Sequence, residues 1–463
     1  MNRSKSPLNQ WAHLRPFAIA LRTPERNFTW EELRDSVNQV ALGLLQQGVV
    51  SGNIITCVGK NSPELVLMYL ACLEIGVTCA LTMPQPKQQL LDKLETLYRS
   101  DEKTFVWLVS EEQNLSDLAN LHFDRTEYQA SNLVSHYHAQ QLASVIFTSG
   151  STGTPKAVAH TSQQHFASAD GLLQQFVYQA DDCWLLSLPM YHVSGLAIIY
   201  RWLWSGAALK VGTGELSQDV HNVTHASLVA TQLSRLLETK QALDLKRVLL
   251  GGSHIPLSLA QAATDRGIET WLGYGMTEAA STVTAKRINS LESAGRLLAN
   301  REIKLVDQRI YIAGETLAKG YLYQGQITPL CDQSGWFDSK DLGQWIEGEL
   351  QIIGRADNQF ISGGENIHCE EIERALNQHT AVIQSLVIPI ADERYGARPL
   401  ALVQSTSDLE DLALAQWLSN RLVRFKVPDV FIAMPSTLLG SGIKLSRHAA
   451  KEWLKQSTNY QVI

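Results

Sequence analysis

Residues 142–156 read Leu-Ala-Ser-Val-Ile-Phe-Thr-Ser-Gly-Ser-Thr-Gly-Thr-Pro-Lys. The apolar run 142–147 predicts a buried strand, because a short continuous apolar stretch closed by Gly and Ser/Thr fits a strand covered on both faces. The loop that follows combines hydroxyl side chains with two glycines and a lysine. Glycines let the backbone turn tightly and aim its N–H groups at one point. The hydroxyls add donors and Lys156 adds a positive charge. A strand that runs into such a loop suits a polyphosphate, with Thr148, Ser149, Gly150, Ser151, Thr152, Gly153, Thr154 and Lys156 as the candidate contacts. The positions of Gly150 and Lys156 do not fit the G-x-x-x-x-G-K-[ST] spacing of a Walker A loop. The same composition also describes a solvent-exposed Ser/Gly turn. The strand before it and the motifs downstream favour the nucleotide.

Outward from this strand, similar apolar runs recur at 54–58, 104–109, 184–188, 227–230 and 247–250, with helical patterns between several of them. Thr29-Trp-Glu-Glu32 matches a capping box, and Leu33, Val37, Val40, Ala41 and Leu44 behind it keep helical spacing until Gly48. Ser62-Pro63 opens an apolar helix that runs to about Gly76. This alternation predicts an α/β fold of layered, largely parallel sheets over residues 1–356. After about Gly295 the pattern changes to short strands at 302–306, 309–312 and 349–353 with turns such as Asp307-Gln308, a small β-rich subdomain over about 295–356. From Asp357 onward come a glycine-rich turn, a helix near 370–376, further strands and a basic helix around 412–424. Residues 357–463 therefore read as a small α+β domain.

At 463 residues the chain is too long for one ordinary core. Hydrophobic content of 45% and charged content of 18% fit a globular, water-soluble class. The net charge of −7 argues against a nucleic-acid partner or a polybasic membrane surface, so anion binding has to be local. The six cysteines (Cys57, Cys72, Cys79, Cys183, Cys331 and Cys369) form no CxxC pair and have no His cluster, which reads as reduced structural thiols of a cytoplasmic protein. The N-terminal segment is charged, and the apolar stretch 17–21 is too short for a signal peptide or a membrane span.

Three further motifs carry chemistry. In Gly273-Tyr274-Gly275-Met276-Thr277-Glu278, Tyr274 offers a flat ring for a purine, Thr277 a phosphate donor, and Glu278 a hard oxygen for Mg²⁺. A tight turn with one solvated acid is the alternative. Residues 336–343 (Trp-Phe-Asp-Ser-Lys-Asp-Leu-Gly) are followed by Gly354-Arg355-Ala356-Asp357; an Asp backed by an Arg suits ribose hydroxyls, and equally a surface salt bridge at a turn. Gly442-Ile443-Lys444-Leu445-Ser446-Arg447 puts a lysine on a loop that can swing into a site or stay solvated.

Together these residues resemble the adenylate-forming superfamily of acyl-CoA synthetases, peptide-synthetase adenylation domains and luciferases, over nearly the whole chain. The resemblance implies that 147–156 is the phosphate loop and that Tyr274–Glu278 is the adenine and magnesium motif, with Thr277 and Glu278 serving catalysis. It likens Gly251-Gly252-Ser253 to an adenine-contacting loop and gives Asp341 and Arg355 to the ribose. It makes Asp357 the hinge of a mobile C-terminal domain and Lys444 the catalytic lysine. The turn Ser362-Gly363-Gly364-Glu365 resembles the border of the pantetheine channel. The chain departs from the pattern at Ser339-Lys340 before Asp341, at Ile443 before Lys444 and at Cys369, where Thr-Gly, Gly and Pro are usual.

The stretches 188–195, 200–204, 224–233 and 442–447 look closest to one branch, the bacterial o-succinylbenzoate–CoA ligases of menaquinone biosynthesis. This resemblance implies an aromatic dicarboxylate as substrate, with ATP, Mg²⁺ and CoA. His192, Ser194 and Gly275 are then expected along the substrate pocket. Arg201 interrupts an apolar stretch, so it needs an anion: the second carboxylate of the substrate, or a protein acid. A ligase for another acid, transfer to a carrier-protein thiol, and an adenylate-binding protein without ligase activity are the competing readings.

Overall fold

A computed structural model describes residues 5–110, 115–124, 133–148, 155–239, 241–251, 255–406, 411–438 and 446–463. The first sheet has seven strands in the order Gln326–Thr328, Gly320–Tyr323, Lys156–Thr161, Leu142–Thr148, Thr78–Thr82, Ile54–Val58 and Val106–Leu108. The last four of these are parallel, and the first three are added antiparallel. Every residue of Ile54–Val58 and of Thr78–Thr82 is buried, as parallel strands with both faces covered require. The second sheet has nine strands. Its centre is parallel (Glu269–Met276, Arg247–Leu250, His225–Leu228, Cys183–Leu185, Ala208–Lys210 and Ile19–Arg22), and antiparallel strands flank it on both sides.

One apolar core joins the two sheets. It contains Ile55, Cys57 and Leu81 from the first, Trp184, Leu209 and Leu249 from the second, and the inner faces of the helices Pro63–Glu74, Ser162–Leu173 and Val193–Ser205. The helix Pro63–Glu74 is buried from Leu65 to its end, with Ser62 accepting from the Leu65 N–H as its cap. The capping box read at Thr29 and Glu32 forms, and a second one forms at Thr161 and Gln164.

A four-stranded antiparallel sheet follows, ordered Arg301–Val306, Arg309–Gly314, Phe337–Ile346 and Glu349–Arg355. Asp307 and Gln308 form its first hairpin turn with φ of 47° and 65°, the primed geometry that matches strand twist. The hairpin of Gly320–Tyr323 and Gln326–Thr328 leaves this sheet and joins the seven-stranded one. The C-terminal part has a Gly363-Gly364 hairpin, a three-stranded sheet and helices on both of its faces, Cys369–Asn377 on one and Arg447–Ser457 on the other. The architecture is thus α/β, with a large N-terminal part and a small C-terminal one.

Three local expectations need correction. The basic helix expected at 412–424 ends at Ser419. Beyond the helix, Arg421 stacks on the Trp417 ring at 3.3 Å and bonds the Trp417 carbonyl, and Lys426, just past the expected range, pairs with Glu371 at 2.7 Å. The strand expected at 184–188 is shortened to Cys183–Leu185, because the Asn61 amide captures the carbonyls of Leu186 and Leu188 and the N–H of Met190. The strand expected at 227–230 forms as His225–Leu228, and Ala230 opens a helix.

The nine-stranded and four-stranded sheets are tied by a buried ion pair. Lys286 Nζ donates to Glu349 Oε2, to the Leu291 carbonyl and to Ser293 Oγ, each at 2.8 Å. Removing one member of a buried pair strands the other charge, so Lys286→Met is expected to destabilise the fold by about 3 kcal/mol. A lower urea midpoint for Lys286→Met, largely restored in Lys286→Met/Glu349→Leu, is the outcome to look for.

Candidate active site

The motif stretches lie at the C-terminal ends of parallel strands, where open α/β sheets present their loops to ligands. The strand Leu142–Thr148 ends at the phosphate-loop stretch, Arg247–Leu250 ends at Gly251, and Glu269–Met276 ends at Thr277. Thr148 pairs with Lys156 across the loop, so the stretch is pinned at both ends by an antiparallel ladder. Ser149, Gly150, Ser151, Thr152, Gly153, Thr154, Gly252, Ser253 and Lys444 lie outside the described residues. Among the described residues, no atom lies within 4 Å of where a Cβ on Gly251 would stand.

Lys156 and Glu278 come from different sheets and meet through a residue that the motifs do not contain. The ammonium of Lys156 sits 4.9 Å from the centroid of the Tyr321 ring, and the Tyr321 hydroxyl donates to Glu278 Oε1 at 3.1 Å. Glu278 Oε2 has no hydrogen-bond partner among the described residues. A half-buried carboxylate whose second oxygen is left open, one ring away from the Lys156 ammonium, fits Mg²⁺, which takes one or two protein carboxylates and completes its shell with water and phosphate.

The backbone of the Glu278 turn is held from three elements. His160 Nε2 lies 2.8 Å from the Thr277 carbonyl, and since a carbonyl only accepts, the proton is on Nε2. Burial pushes the His160 imidazole down to about 4, so it is neutral at pH 7. The Ala318 N–H donates to the Glu278 carbonyl at 2.8 Å, and Ser168 Oγ donates to the Ala280 carbonyl at 2.6 Å. Arg301 clamps Ser168 in turn, through its carbonyl at 3.0 Å and its Oγ at 2.9 Å.

Four residues upstream, the Tyr274 hydroxyl donates to Asp341 Oδ2 at 2.6 Å. Asp341 and Arg355 face each other across two antiparallel strands, with Arg355 Nη1 3.3 Å from Asp341 Oδ1. The same guanidinium makes a two-pronged contact with Asp357, at 2.8 and 3.0 Å. This contact holds the Asp357 carboxyl below its usual range. The structure therefore joins Tyr274, Asp341, Arg355 and Asp357 into one polar chain.

The expected pocket residues lie on and beside one helix, Val193–Ser205. His192 precedes it, Ser194 is in its first turn, and Arg201 follows about 10 Å further along the axis. Burial and the nearby Lys93 lower the His192 imidazole. Arg201 is 2% exposed. Among the described residues it pairs with no carboxylate; it donates to Thr282 Oγ1 at 3.3 Å, lies 5.3 Å from the Trp184 ring, and leaves Nε unpartnered. Of the two anions expected for Arg201, a protein acid is thus not found among the described residues. Burial and then Arg301 pull its guanidinium down to about 9. Thr282 stands opposite Gly275, whose missing Cβ would lie 1.8 Å from the Ser281 carbonyl oxygen. Arg201 and Gly275, far apart in sequence, thus meet at Thr282.

Gly363 and Gly364 form a two-residue hairpin turn with φ of 59° and 90°. Arg447, three residues after Lys444, is bound at 2.8 Å to Glu373. Tyr321, His160, Ser168 and Thr282 were missed because none stands in a recognisable motif. The one sequence signal was a polar residue at the end of an apolar run at His160.

The AMP-binding enzyme family model matches residues 8–322, and its C-terminal domain model matches 371–439. The 2-succinylbenzoate–CoA ligase of Salmonella typhimurium (strain LT2) is 40% identical over 449 residues, 97% of this chain and 97% of that protein. An arginine-to-lysine variant of Escherichia coli MenE with bound OSB-AMS superposes with a TM-score of 0.90 at 38% identity, covering 99% of this chain and all of that one. The o-succinylbenzoate coenzyme A synthetase (MenE) of Bacillus subtilis, in complex with ATP and magnesium ion, superposes with a TM-score of 0.79 at 26% identity, over 93% of this chain and 95% of that one. The chain belongs to the AMP-binding enzyme family and groups within it with the 2-succinylbenzoate–CoA ligases.

Proposed function

We propose that the chain is an ATP- and Mg²⁺-dependent, AMP-forming ligase that joins o-succinylbenzoate to CoA through an acyl-AMP intermediate, a step of menaquinone biosynthesis. One observation carries this reading: Lys156, Tyr321 and Glu278 form one connected line, and Tyr274, four residues before Glu278, opens a second through Asp341 to Arg355, which suits phosphate, metal and ribose in that order. The relatives' names supply the acid, CoA, ATP and magnesium.

In the first half-reaction an oxygen of the substrate carboxylate attacks the α-phosphorus of ATP. The bond from that phosphorus to the bridging oxygen breaks, and pyrophosphate leaves. Both reactants are anions, so the barrier falls when cations and donors face the developing charge. Thr148 to Thr154 with Lys156 hold the β- and γ-phosphates, Thr277 donates to the α-phosphate, and Lys444 supplies charge at the reacting phosphorus. Mg²⁺ held by Glu278 neutralises phosphate charge when bound. Gly251, Gly252, Ser253 and Tyr274 bracket the adenine, and Asp341 with Arg355 binds the ribose hydroxyls. In the second half-reaction the CoA sulfur, having lost its proton, attacks the acyl carbon. The acyl–oxygen bond breaks and AMP departs. The pantetheine passes Gly363 and Gly364, and residues 357–463 turn about Asp357 between the two steps.

Arg201 receives the second carboxylate of the substrate, with His192, Ser194 and Gly275 shaping the pocket. A buried guanidinium with no carboxylate partner among the described residues, beside a hydroxyl and an indole face, supports that role. A cytoplasmic location is supported by five buried free thiols, and among the described residues no helix is long and apolar enough to cross a membrane.

The direct test is mass spectrometry after incubation with ATP, Mg²⁺, CoA and a panel of aryl and acyl acids. The expected products are o-succinylbenzoyl-CoA, AMP and pyrophosphate. Preference for a different acid sinks the substrate assignment, and AMP formation without a thioester sinks the CoA assignment. Lys444→Ala is expected to nearly abolish adenylate formation while leaving thioester formation from supplied acyl-AMP largely intact; equal loss in both half-reactions overturns its role. Arg201→Ala is expected to raise the KM for o-succinylbenzoate by about 10- to 100-fold, the range for a lost hydrogen bond between charged groups, with the KM for ATP little changed. An unchanged KM for the acid removes the carboxylate role.

A further inference from the structure

We infer that Tyr321 is a positioning residue for the Glu278 carboxylate, a role that rests on the reading of Glu278 as the Mg²⁺ ligand. A carboxylate accepts only, so the Tyr321 hydroxyl is the donor in the 3.1 Å contact to Oε1. The bond fixes one oxygen and leaves Oε2 free to meet a cation. A glutamate on its own has three side-chain torsions to order before it can meet a cation, and ordering them opposes binding. An outer partner that fixes the torsions in advance removes that cost, as ligand-orienting hydrogen bonds do in metal sites generally.

The geometry places Tyr321 to do this. It stands on the strand Gly320–Tyr323, opposite Val158 of the strand that leaves the phosphate loop. Three residues earlier, the Ala318 N–H holds the Glu278 backbone carbonyl at 2.8 Å. The segment from Ala318 to Tyr321 therefore grips Glu278 by both its main chain and its side chain. The same ring lies beside the Lys156 ammonium, at 4.9 Å. One aromatic residue thus sets the spacing between the lysine at the end of the phosphate loop and the metal-facing acid. The hydroxyl and the ring are separable, because Tyr321→Phe removes the donor and keeps the ring.

The test is equilibrium binding measured by calorimetry, with the non-hydrolysable analogue α,β-methylene-ATP in the presence and absence of Mg²⁺, and with AMP in the absence of metal. In Tyr321→Phe the gain in analogue affinity on adding Mg²⁺ is expected to shrink by about 10-fold, at the low end for loss of an outer-shell partner. Metal-free AMP affinity and the thermal midpoint are expected to stay as in the parent protein. If the Mg²⁺ gain is retained, or if AMP affinity falls by the same factor, the positioning role is wrong. Glu278→Gln separates the two levels. Loss of the whole Mg²⁺ gain in that variant upholds the metal reading on which Tyr321 depends. Retention of the gain removes that reading and the role of Tyr321 with it.

Discussion

The turn from Thr277 to Ser281 holds a backbone shape that its sequence does not favour. Ala280 and Ser281 both have positive φ, 51° and 93°, and neither is glycine. Left-handed geometry at such residues costs about 1–3 kcal/mol each, and it persists only where the surroundings over-determine it. Here they do: a histidine proton, a serine hydroxyl and a backbone N–H, from three elements, take the carbonyls of Thr277, Ala280 and Glu278. The rest of the site depends on that turn. It directs Glu278 toward Tyr321, and at its far end it sets Thr282 against Arg201. Just before it, Tyr274 reaches Asp341.

Charge is arranged by the same logic. The chain is acidic overall, with a net charge of −7, so a trianionic or tetra-anionic nucleotide gains nothing from the average surface. What attracts it has to be buried and local. Arg201 and Arg301 both stand in the core behind the Glu278 turn, and burial draws both guanidiniums down to about 9. Two cations brought together in a low-dielectric interior destabilise each other, and a protein carboxylate between them would relieve that. Among the described residues neither makes an ion pair within 4 Å. Arg301 instead spends its donors on the Ala299 and Ser168 carbonyls and on Ser168 Oγ. Arg201 is left with one hydroxyl. The arginine with fewer bonds is the one beside Gly275.

Much of this was legible from residues alone. Caps and turns are local chemistry, so Thr29 with Glu32, Ser62 and the Asp307-Gln308 turn formed as read. Asp341 and Arg355 were legible as a pair because their two strands are joined by one short hairpin. Tyr321 was not, since it reaches Glu278 from 43 residues away through a hairpin that abandons its own subdomain for another sheet. His160 bonds across 117 residues and Ser168 across 112, and no periodicity reports such contacts. The strand expected at 184–188 failed for a related reason. Its apolar pattern is sound, but Asn61, 125 residues upstream of Leu186, takes the carbonyls that a ladder would have used.

Arg355 also bears on how the C-terminal part is attached. Its guanidinium serves Asp341 on one side and Asp357 on the other, so the two acids share one cation. The other hydrogen bonds near this junction are polar: Asn358 to Glu370, Arg374 to the Ile352 carbonyl, and Gln378 to Glu292. The apolar side chains of the C-terminal part are committed to its own clusters, around Ile372, Leu376 and Val387 on one face and Ile388, Leu400 and Leu454 on the other. Polar contacts can be exchanged for water at little net cost, whereas an apolar interface cannot. A group arriving at Asp341 competes for the guanidinium that also anchors Asp357. On the ribose role proposed for Asp341, ligand there and the setting of the chain at Asp357 would be coupled through a single side chain.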